Sequence, residues 1–260
     1  MPEGDITSES IIPHSSVSEA IILAKGDGIL AGIDVAKRVF EKIDSSIVFK
    51  KIVKDSQPFR KRDILARLKG NSISLLKGER TALNFLQRMS GVATATREFV
   101  EAVQGTRTKI LDTRKTTPGL RFLEKYAVKM GGGMNHRFNL SEMVLIKDNH
   151  LKIIGSIAKA IKEAKEKVKP RIKIEVEVTD FNGAREAMKS GASMIMLDNM
   201  TLEKMKEIVD WIKGRIPIEV SGKMNLEKVK AIASLGVDFI SVGALTHSSR
   251  SVDISLEFLS

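Results

Sequence analysis

The second half of the chain repeats one pattern, in which a short β-rich run is followed by a helical stretch. The runs are KILDT, MVLIK, IKIEVEV, MIMLD, IPIEVS and FISVG, the first of which begins at Lys109. Helical stretches such as SIAKAIKEAKEKV and LEKMKEIVDWIK separate them. Strands that alternate with helices at this spacing pair in parallel and carry the helices outside. The pattern therefore predicts an α/β domain over residues 105–245.

The residues that end these runs favour a barrel over an open, doubly wound sheet. No G-x-G-x-x-G motif follows any run, which weakens a dinucleotide-binding sheet. Each run instead ends in polar groups or glycine, namely Asp112 with Arg114, Lys147 with Asp148, Glu177, Asp198 with Asn199, Ser221 with Gly222, and Gly243. In an α/β barrel, the loops after the strands build the active site at one face. We therefore expect a barrel of about six parallel strands with outer helices.

The first part of the chain contains mixed elements. AIILA, SIVFKKIV and RDILARLKG read as strands, and GIDVAKRVFEKI reads as a short helix. A long helix follows from about Lys77 to Val103, with Gly91 as an interior small residue that allows close packing. The tail SVDISLEFL alternates apolar and polar residues and predicts a strand. We expect a small N-terminal α+β domain over residues 1–104, to which the tail at 246–260 returns.

Composition narrows the class of protein. With 42% hydrophobic residues, no apolar run of membrane-spanning length and no signal-peptide core, the chain is expected in the cytoplasm, away from membranes. The absence of cysteine excludes disulfides, thiolate catalysis and cysteine-bound metals. A net charge of +11 raises the possibility of nucleic-acid binding. However, the lysines of KAIKEAKEKVKPRIK alternate with glutamates and aromatics make up only 5%, so we expect no nucleic-acid partner.

Cationic residues gather at positions 111–150, LDTRKTTPGLRFLEKYAVKMGGGMNHRFNLSEMVLIKDNH. Those that flank the strand-like runs are Arg114, Lys115, His136, Arg137 and Lys147. Arginine presents a planar fork to carboxylates and phosphates, whereas lysine presents a compact charge to phosphate oxygens. The mixture predicts a pocket for a ligand with more than one kind of anionic group. A solvated basic loop is the alternative, which the neighbouring glycine run at 131–133 disfavours.

Two carboxylates are expected to face the same pocket. Glu177 and Asp198 end consecutive runs, and carboxylates beside cations can hold Mg²⁺, bind sugar hydroxyls or stabilise a developing positive charge. Salt bridges to the nearby cations are the alternative interpretation. Glu175 shares the facing of Glu177 and is expected one layer deeper, while Glu219 has a similarly ambiguous place.

Two late segments have the character of a phosphate cradle. SGKMN at 221–225 and SVGALT at 241–246 follow the last two strands. Glycine turns expose backbone N–H groups there, and the loops after the final strands of a barrel commonly bind phosphate. Together with the cations and acids, these turns predict a ligand with a terminal phosphate, a hydroxylated sugar and a strongly anionic group.

Several motifs closely resemble those of the quinolinate phosphoribosyltransferase family, namely DTRKTTPGLR, the glycine run with NHR, MVLIKDNH, IEVEV, MLDN and SVGALTHS. The resemblance extends from GDITSESIIP at 4–13 to the tail. It implies a small N-terminal sandwich domain joined to an incomplete α/β barrel. It also implies a pentosyltransferase that joins quinolinate to 5-phosphoribosyl-1-pyrophosphate, with nicotinate mononucleotide, pyrophosphate and CO₂ as products, in de novo NAD biosynthesis.

The resemblance assigns roles to individual residues. It implies that the quinolinate carboxylates are bound by Arg114, His136 and Arg137. The phosphate groups of the donor go to two lysines that also take part in catalysis, Lys115 and Lys147. The ribose and Mg²⁺ go to two catalytic acids, Glu177 and Asp198. The resemblance also implies that the 5-phosphate is bound by the turns after the last two strands, which contain Ser221, Gly222, Lys223, Gly243 and Ala244.

The resemblance also bears on the expected roles of Arg80 and Lys223. Arg80 lies off the apolar face of the long helix, where pattern alone leaves it a solvated surface arginine. The family instead inserts the matching arginine into the active site of a neighbouring subunit, which implies a homodimer or a hexamer built as a trimer of dimers. Lys223 stands where the family usually has a second glycine, so it either adds charge to the phosphate turn or changes the backbone there.

Two alternatives remain open from the sequence. A related phosphoribosyltransferase with another acceptor should lose part of the carboxylate-binding set, yet Arg114, His136 and Arg137 are all present. A non-catalytic phosphosugar-binding protein would bind the donor without turnover. Formation of nicotinate mononucleotide and CO₂ separates both from the expected enzyme.

Overall fold

The structure is a computed structural model in which residues 4–259 are described. Its helices are α1 Ile6–Ile11, α2 Ile33–Ile43, α3 Ser72–Ala102, α4 Arg121–Met130, α5 Asp148–Ile154, α6 Ile157–Lys167, α7 Phe181–Lys189, α8 Leu202–Ile212, α9 Leu226–Ala233 and α10 Ala244–His247. Its strands are β1 Val17–Ala24, β2 Gly28–Ile29, β3 Val48–Lys51, β4 Pro58–Phe59, β5 Ile64–Asn71, β6 Lys109–Leu111, β7 Val144–Ile146, β8 Ile174–Val178, β9 Met194–Asp198, β10 Ile218–Ser221, β11 Phe239–Ser241 and β12 Ile254–Phe258. No helix in this range is long and apolar enough to cross a membrane.

The chain divides into two compact units, each made of separate stretches of sequence. The first unit contains the residues up to 97, 117–132 and those from 248, and the second contains 98–116 and 133–247. The segment that carries α4 thus joins the first unit, which differs from the predicted boundary at residue 104. Within that unit, Glu124 of α4 is buried and pairs with Arg88 of α3 at 2.7 Å. Helical periodicity cannot reveal such a partner, because it reports only which face of a helix is apolar.

The first unit contains a four-stranded antiparallel sheet with the order β12-β1-β5-β3. The tail strand pairs with β1, where Leu256 lies opposite Ile22. Helices α2 and α3 form a second layer. Phe40 of α2 and Leu86 of α3 belong to the same buried cluster as Ile22 and Leu256 of the sheet. In α2, Ala36 and Phe40 recur at the spacing of one helical turn, which gives this helix its apolar face. The predicted small α+β domain is confirmed.

The second unit contains a six-stranded parallel sheet with the order β6-β11-β10-β9-β8-β7. Within the described range, β6 and β7 do not pair with each other, and the predicted incomplete α/β barrel is confirmed. Side chains alternate along a strand, so Glu175 and Glu177 of β8 share one face, as do Glu219 and Ser221 of β10. This alternation brings polar side chains from several strands to one side of the sheet.

Helix α5 is a short element that the sequence pattern does not predict. It starts directly after β7, so the KDNH motif forms its first turn. The backbone N–H of Lys147 donates to Nδ1 of His150 at 2.9 Å, which satisfies a donor at the start of the helix. The short strand and its local cap therefore fix the backbone from which the Lys147 side chain projects.

We predict that Gly91→Ala destabilises the first unit. A Cβ at Gly91 would lie 2.0 Å from the carbonyl oxygen of Arg250 and 3.0 Å from Cα of Ser251, so α3 and the tail would have to separate. Overpacking of this kind costs about 1–3 kcal/mol, which exceeds the gain of about 1 kcal/mol from removing a helical glycine. Chemical denaturation measures the free energy of unfolding. Gly26→Ala is the matched control, because its Cβ would meet only Val252, at 4.0 Å. Equal stability of the two variants would contradict the prediction.

Candidate active site

The second unit contains a cavity of about 290 Å³ near the carboxyl ends of its strands. Its lining consists of Thr113, Arg114, Lys115, His136, Arg137, Leu145, Lys147, Met196, Glu219, Ser221 and Ser241. The structure thus brings all the predicted cations of positions 111–150 together in one place. A second cavity of about 310 Å³, against β7, α5 and α6, is almost entirely apolar and unsuited to an anion.

Arg114 lies close enough to Arg137 to affect the charge of its guanidinium group. Burial lowers the pKa of Arg137, the charge of Arg114 lowers it further, and Glu175 acts in the opposite direction. One guanidinium nitrogen of Arg137, Nη1, donates to the carbonyl oxygen of Met143 at 3.0 Å, which fixes its position. Because like charges repel at this range, an anion that binds between the two arginines would be favoured.

Lys147 and Glu177 form an ion pair across neighbouring strands. Nζ of Lys147 lies 2.5 Å from Oε2 of Glu177, and the side chains are 44% and 11% exposed respectively. This is the salt bridge that the sequence left as an alternative to a catalytic role for Glu177. The pair and the role are compatible, since Lys147 also lines the cavity and could exchange Glu177 for an anionic ligand.

Asp198 lies beside the turn at Ser221 and Gly222 and is oriented by Asn199. In the β9–β10 pairing, Asp198 is opposite Ser221, which lines the cavity. Nδ2 of Asn199 donates to Oδ2 of Asp198 at 2.7 Å, and its backbone N–H donates to the carbonyl of Ser221 at 3.2 Å. Asn199 has a φ of 51°, which asparagine tolerates better than most residues. Sequence reasoning gave Asn199 no role, although an asparagine directly after a strand is a signal for this backbone.

The turn at Gly243 and Ala244 lies against Lys115. A Cβ at Gly243 would be 3.3 Å from Cδ of Lys115, so the lysine side chain crosses this glycine. Oγ1 of Thr246 donates to the carbonyl of Lys115 at 2.7 Å and ties the two loops together. Ala244, the first residue of α10, follows directly. A lysine and a glycine turn are thereby combined at one place, which suits a phosphate group.

His136 is enclosed by acids beneath the cavity. Its Nε2 lies 3.2 Å from Oε2 of Glu175 and 3.4 Å from Oε2 of Glu219. Burial lowers the pKa of His136, but the hydrogen bonds to both glutamates outweigh it and raise the pKa to about 9. Burial also raises the pKa of Glu175 to about 7, against the effect of the hydrogen bond with His136. The predicted deeper place of Glu175 is confirmed, because both glutamate side chains are fully buried.

Seven predicted site residues are absent from the cavity lining, namely Arg80, Glu177, Asp198, Gly222, Lys223, Gly243 and Ala244. Of these, Arg80 and Lys223 are exposed. Arg80 belongs to the first unit, its side chain is 71% exposed, and its Nη2 lies 4.0 Å from Oε1 of Glu79. Lys223 is exposed in the turn that contains Ser221 and Gly222, and its carbonyl accepts from Nζ of Lys228 at 3.2 Å. The non-glycine residues with positive φ within residues 4–259 do not include Lys223, so lysine fits this turn without a left-handed backbone.

We predict that Gly222→Ala weakens binding of a phosphate ligand. Gly222 has a φ of 133°, and a Cβ there would lie 2.6 Å from Oδ1 of Asn199, so Asn199 would have to release Asp198. The expected loss in affinity for 5-phosphoribosyl-1-pyrophosphate is about tenfold, measured by calorimetry. In an Asn199→Gly background the clash with the side chain is gone, and the same change should have a smaller effect. An equal effect in both backgrounds would rule out the contact with Asn199 as the cause.

The family model described as the N-terminal domain of quinolinate phosphoribosyl transferase matches residues 5–90, and the model of the C-terminal domain matches residues 92–257. Among curated relatives, the probable nicotinate-nucleotide pyrophosphorylase (carboxylating) of Bacillus subtilis is 44% identical over 98% of this chain and 88% of its own length. The protein of the same description from Archaeoglobus fulgidus is 44% identical over 100% of both chains.

A solved structure agrees with these matches. NadC from Streptococcus pyogenes superposes with a TM-score of 0.94 at 42% sequence identity, and the match covers 98% of this chain and 92% of that one. Both family models, the full-length relatives and the shared fold lead to one conclusion. The chain belongs to the quinolinate phosphoribosyltransferase family.

Proposed function

We infer that the protein transfers the phosphoribosyl group of 5-phosphoribosyl-1-pyrophosphate to quinolinate, as a step of NAD biosynthesis. The observation that carries this function is the match of both family models, which together extend over residues 5–257. The cationic cavity of the second unit supports it, because quinolinate brings two carboxylates and the donor brings three phosphoryl groups. We propose below how the residues share this work.

The carboxylates of quinolinate bind between Arg114 and Arg137. Each guanidinium can offer two parallel N–H donors to a carboxylate, and the mutual repulsion of the two cations is relieved by the bound anion. His136 borders the same cavity and adds to its positive potential when protonated. Binding both carboxylates fixes the plane of the ring and aims its nitrogen at the anomeric carbon, which replaces a chance encounter with an oriented one.

The donor binds toward the two phosphate turns. The backbone amides of the turns at Ser221–Gly222 and Gly243–Ala244 hold the 5-phosphate, with Lys223 adding charge at the edge. Lys115 crosses Gly243 and reaches the same phosphate region, while Lys147 binds the pyrophosphate. Positive charge held at the leaving oxygen lowers the barrier to its departure, because it acts where negative charge develops.

Glu177 and Asp198 serve the ribose and a magnesium ion. Their oxygens are the donor type that Mg²⁺ prefers, and both side chains lie at the ends of neighbouring strands, one of them opposite Ser221. The ion would supply charge neutralisation for the pyrophosphate. The two carboxylates stabilise the positive charge that develops on the sugar as the bond to pyrophosphate breaks.

Decarboxylation then follows from the product of transfer. The ring nitrogen becomes positively charged once it is bonded to the sugar. When the adjacent carboxylate leaves as CO₂, the electron pair of the broken bond remains on the ring carbon, where this charge stabilises it. A proton then takes its place, so the step requires no organic cofactor.

The active site is proposed to be completed by a second copy of the chain. Arg80 is exposed in the first unit and makes only a loose contact with its neighbour Glu79. We propose that it enters the site of an adjacent subunit and adds a further cation for quinolinate. The assembly is then a homodimer, or a hexamer built as a trimer of dimers.

The proposed reaction and the role of Glu177 can be tested together. The wild-type protein should form nicotinate mononucleotide, pyrophosphate and CO₂ in equal amounts when Mg²⁺ is present. Glu177→Gln should lower kcat about 100-fold, because a transition-state charge loses its partner, while quinolinate affinity changes little. Glu163→Gln is the matched control, since Glu163 forms an exposed pair with Lys167 at 2.8 Å. An unchanged kcat would remove Glu177 from the mechanism, and absence of product with wild-type protein would refute the function.

The shared site predicts complementation between inactive subunits. Arg80→Ala and Glu177→Gln proteins should each have very low activity, but a mixture that has exchanged subunits should regain activity. In a random mixture of dimers, half are mixed and each mixed dimer has one intact site, so about a quarter of wild-type activity is expected. Native mass spectrometry verifies the exchange. If exchange is complete and activity stays absent, Arg80 does not act across the interface.

A further inference from the structure

The acids beneath the cavity are not used by the proposed reaction. Glu175 and Glu219 are fully buried on β8 and β10, and the His136 side chain between them is 7% exposed. Within residues 4–259, Oε1 of Glu175 has no hydrogen-bond partner, and Oε2 of Glu219 makes no hydrogen bond of good geometry, although Nε2 of His136 lies 3.4 Å away. Buried carboxylate oxygens without donors are costly, so their retention calls for a function that apolar side chains could not provide.

Both ring nitrogens of His136 are occupied within the protein. Nε2 faces the two glutamates, with Oε2 of Glu175 at 3.2 Å. Nδ1 accepts the backbone N–H of Arg137 at 2.8 Å. The amide can donate to Nδ1 only when the ring is neutral and its proton is on Nε2, whereas the two carboxylates favour the charged ring, in which Nε2 also carries a proton. Neither nitrogen is therefore directed at a ligand in the cavity.

The same distances would also suit a metal ion held by one histidine and two glutamates. An ion on Nε2 requires the lone pair of that nitrogen, which leaves the proton of the neutral ring on Nδ1. That proton would face the amide hydrogen of Arg137, 2.8 Å from the nitrogen. The geometry thus favours a hydrogen-bonded cluster over a metal site.

We propose that Glu175 and Glu219 are positioning residues for the acceptor-binding side of the site. They hold the His136 ring through Nε2, and the ring in turn holds the backbone amide of Arg137 through Nδ1. Ser241 donates to Oε1 of Glu219 and keeps this second acid in place. The position of Arg137 therefore depends on two fully buried acids. This inference rests on the proposed function, because the acceptor is taken to be quinolinate.

The protonation of His136 provides a test that needs no substrate. The chain contains four histidines, so two-bond ¹H–¹⁵N spectra of the full-length protein are simple, and His136→Gln identifies the signal of His136. We expect a proton on Nε2 at neutral pH and no bound metal in the purified protein. An unprotonated Nε2, or a stoichiometric transition metal that is lost in His136→Gln, would overturn the proposal.

Kinetics test the consequence for Arg137. Glu175→Met removes the acceptor but nearly keeps the volume, whereas Glu175→Gln is the matched control that keeps an acceptor oxygen. We expect Glu175→Met to raise the KM for quinolinate about tenfold and to leave the KM for the donor within about twofold, with a smaller effect of Glu175→Gln. In a His136→Ala background, Glu175→Met should add little, because its effect passes through the ring.

The outcomes are distinguishable. Fully additive effects, or equal changes in the KM of both substrates, would show that Glu175 does not act through His136 and would overturn the proposal. If the wild-type protein forms no product from quinolinate, the proposed function fails, while the spectra still decide how His136 is held.

Discussion

Repulsion between Arg114 and Arg137 is the constraint on which the rest of the site depends. Burial lowers the pKa of Arg137, and the charge of Arg114 in the same cavity lowers it further. The charge of Glu175, which lies beneath the cavity, raises the pKa of Arg137 instead. A buried acid is itself unfavourable without cations nearby, so the two sets of charges stabilise each other. The buried Glu175 thus favours the charged form of a guanidinium group that lines the cavity.

The arrangement of this site was largely predictable, because strand geometry carries it. Side chains alternate along each strand, and parallel strands point their carboxyl ends the same way, so the residues that end the β-rich runs converge. That reasoning brought Arg114, Lys147 and Ser221 to one cavity, and it placed Glu175 deeper than Glu177. Resemblance to a family supplied the division of labour, which geometry alone leaves open between several anionic ligands.

What the sequence did not reveal are contacts that depend on exact backbone directions. The left-handed Asn199 and its fit against Gly222 arise from two separate loops that meet only in the folded chain. The same holds for His136. Its residue type indicates a possible ligand-binding role, but its two ring nitrogens contact Glu175 and the backbone amide of Arg137 within the protein. Helix α4 groups with the first unit, where its buried Glu124 pairs with Arg88, and no periodicity encodes this contact.

The two glutamates of β8 show how depth alone can give one residue type two tasks. Glu177, which is 11% exposed, pairs with Lys147, which is 44% exposed, so water still reaches the ammonium group of the lysine. A ligand that brings phosphate to Lys147 and a hydroxyl to Glu177 can therefore separate them. Glu175, two residues earlier, is fully buried against His136, and breaking that contact would leave an isolated charge in a medium that solvates it poorly. The less deeply buried Glu177 can thus exchange partners during turnover, whereas the fully buried Glu175 has to keep its partner. This difference follows from their positions along a single strand.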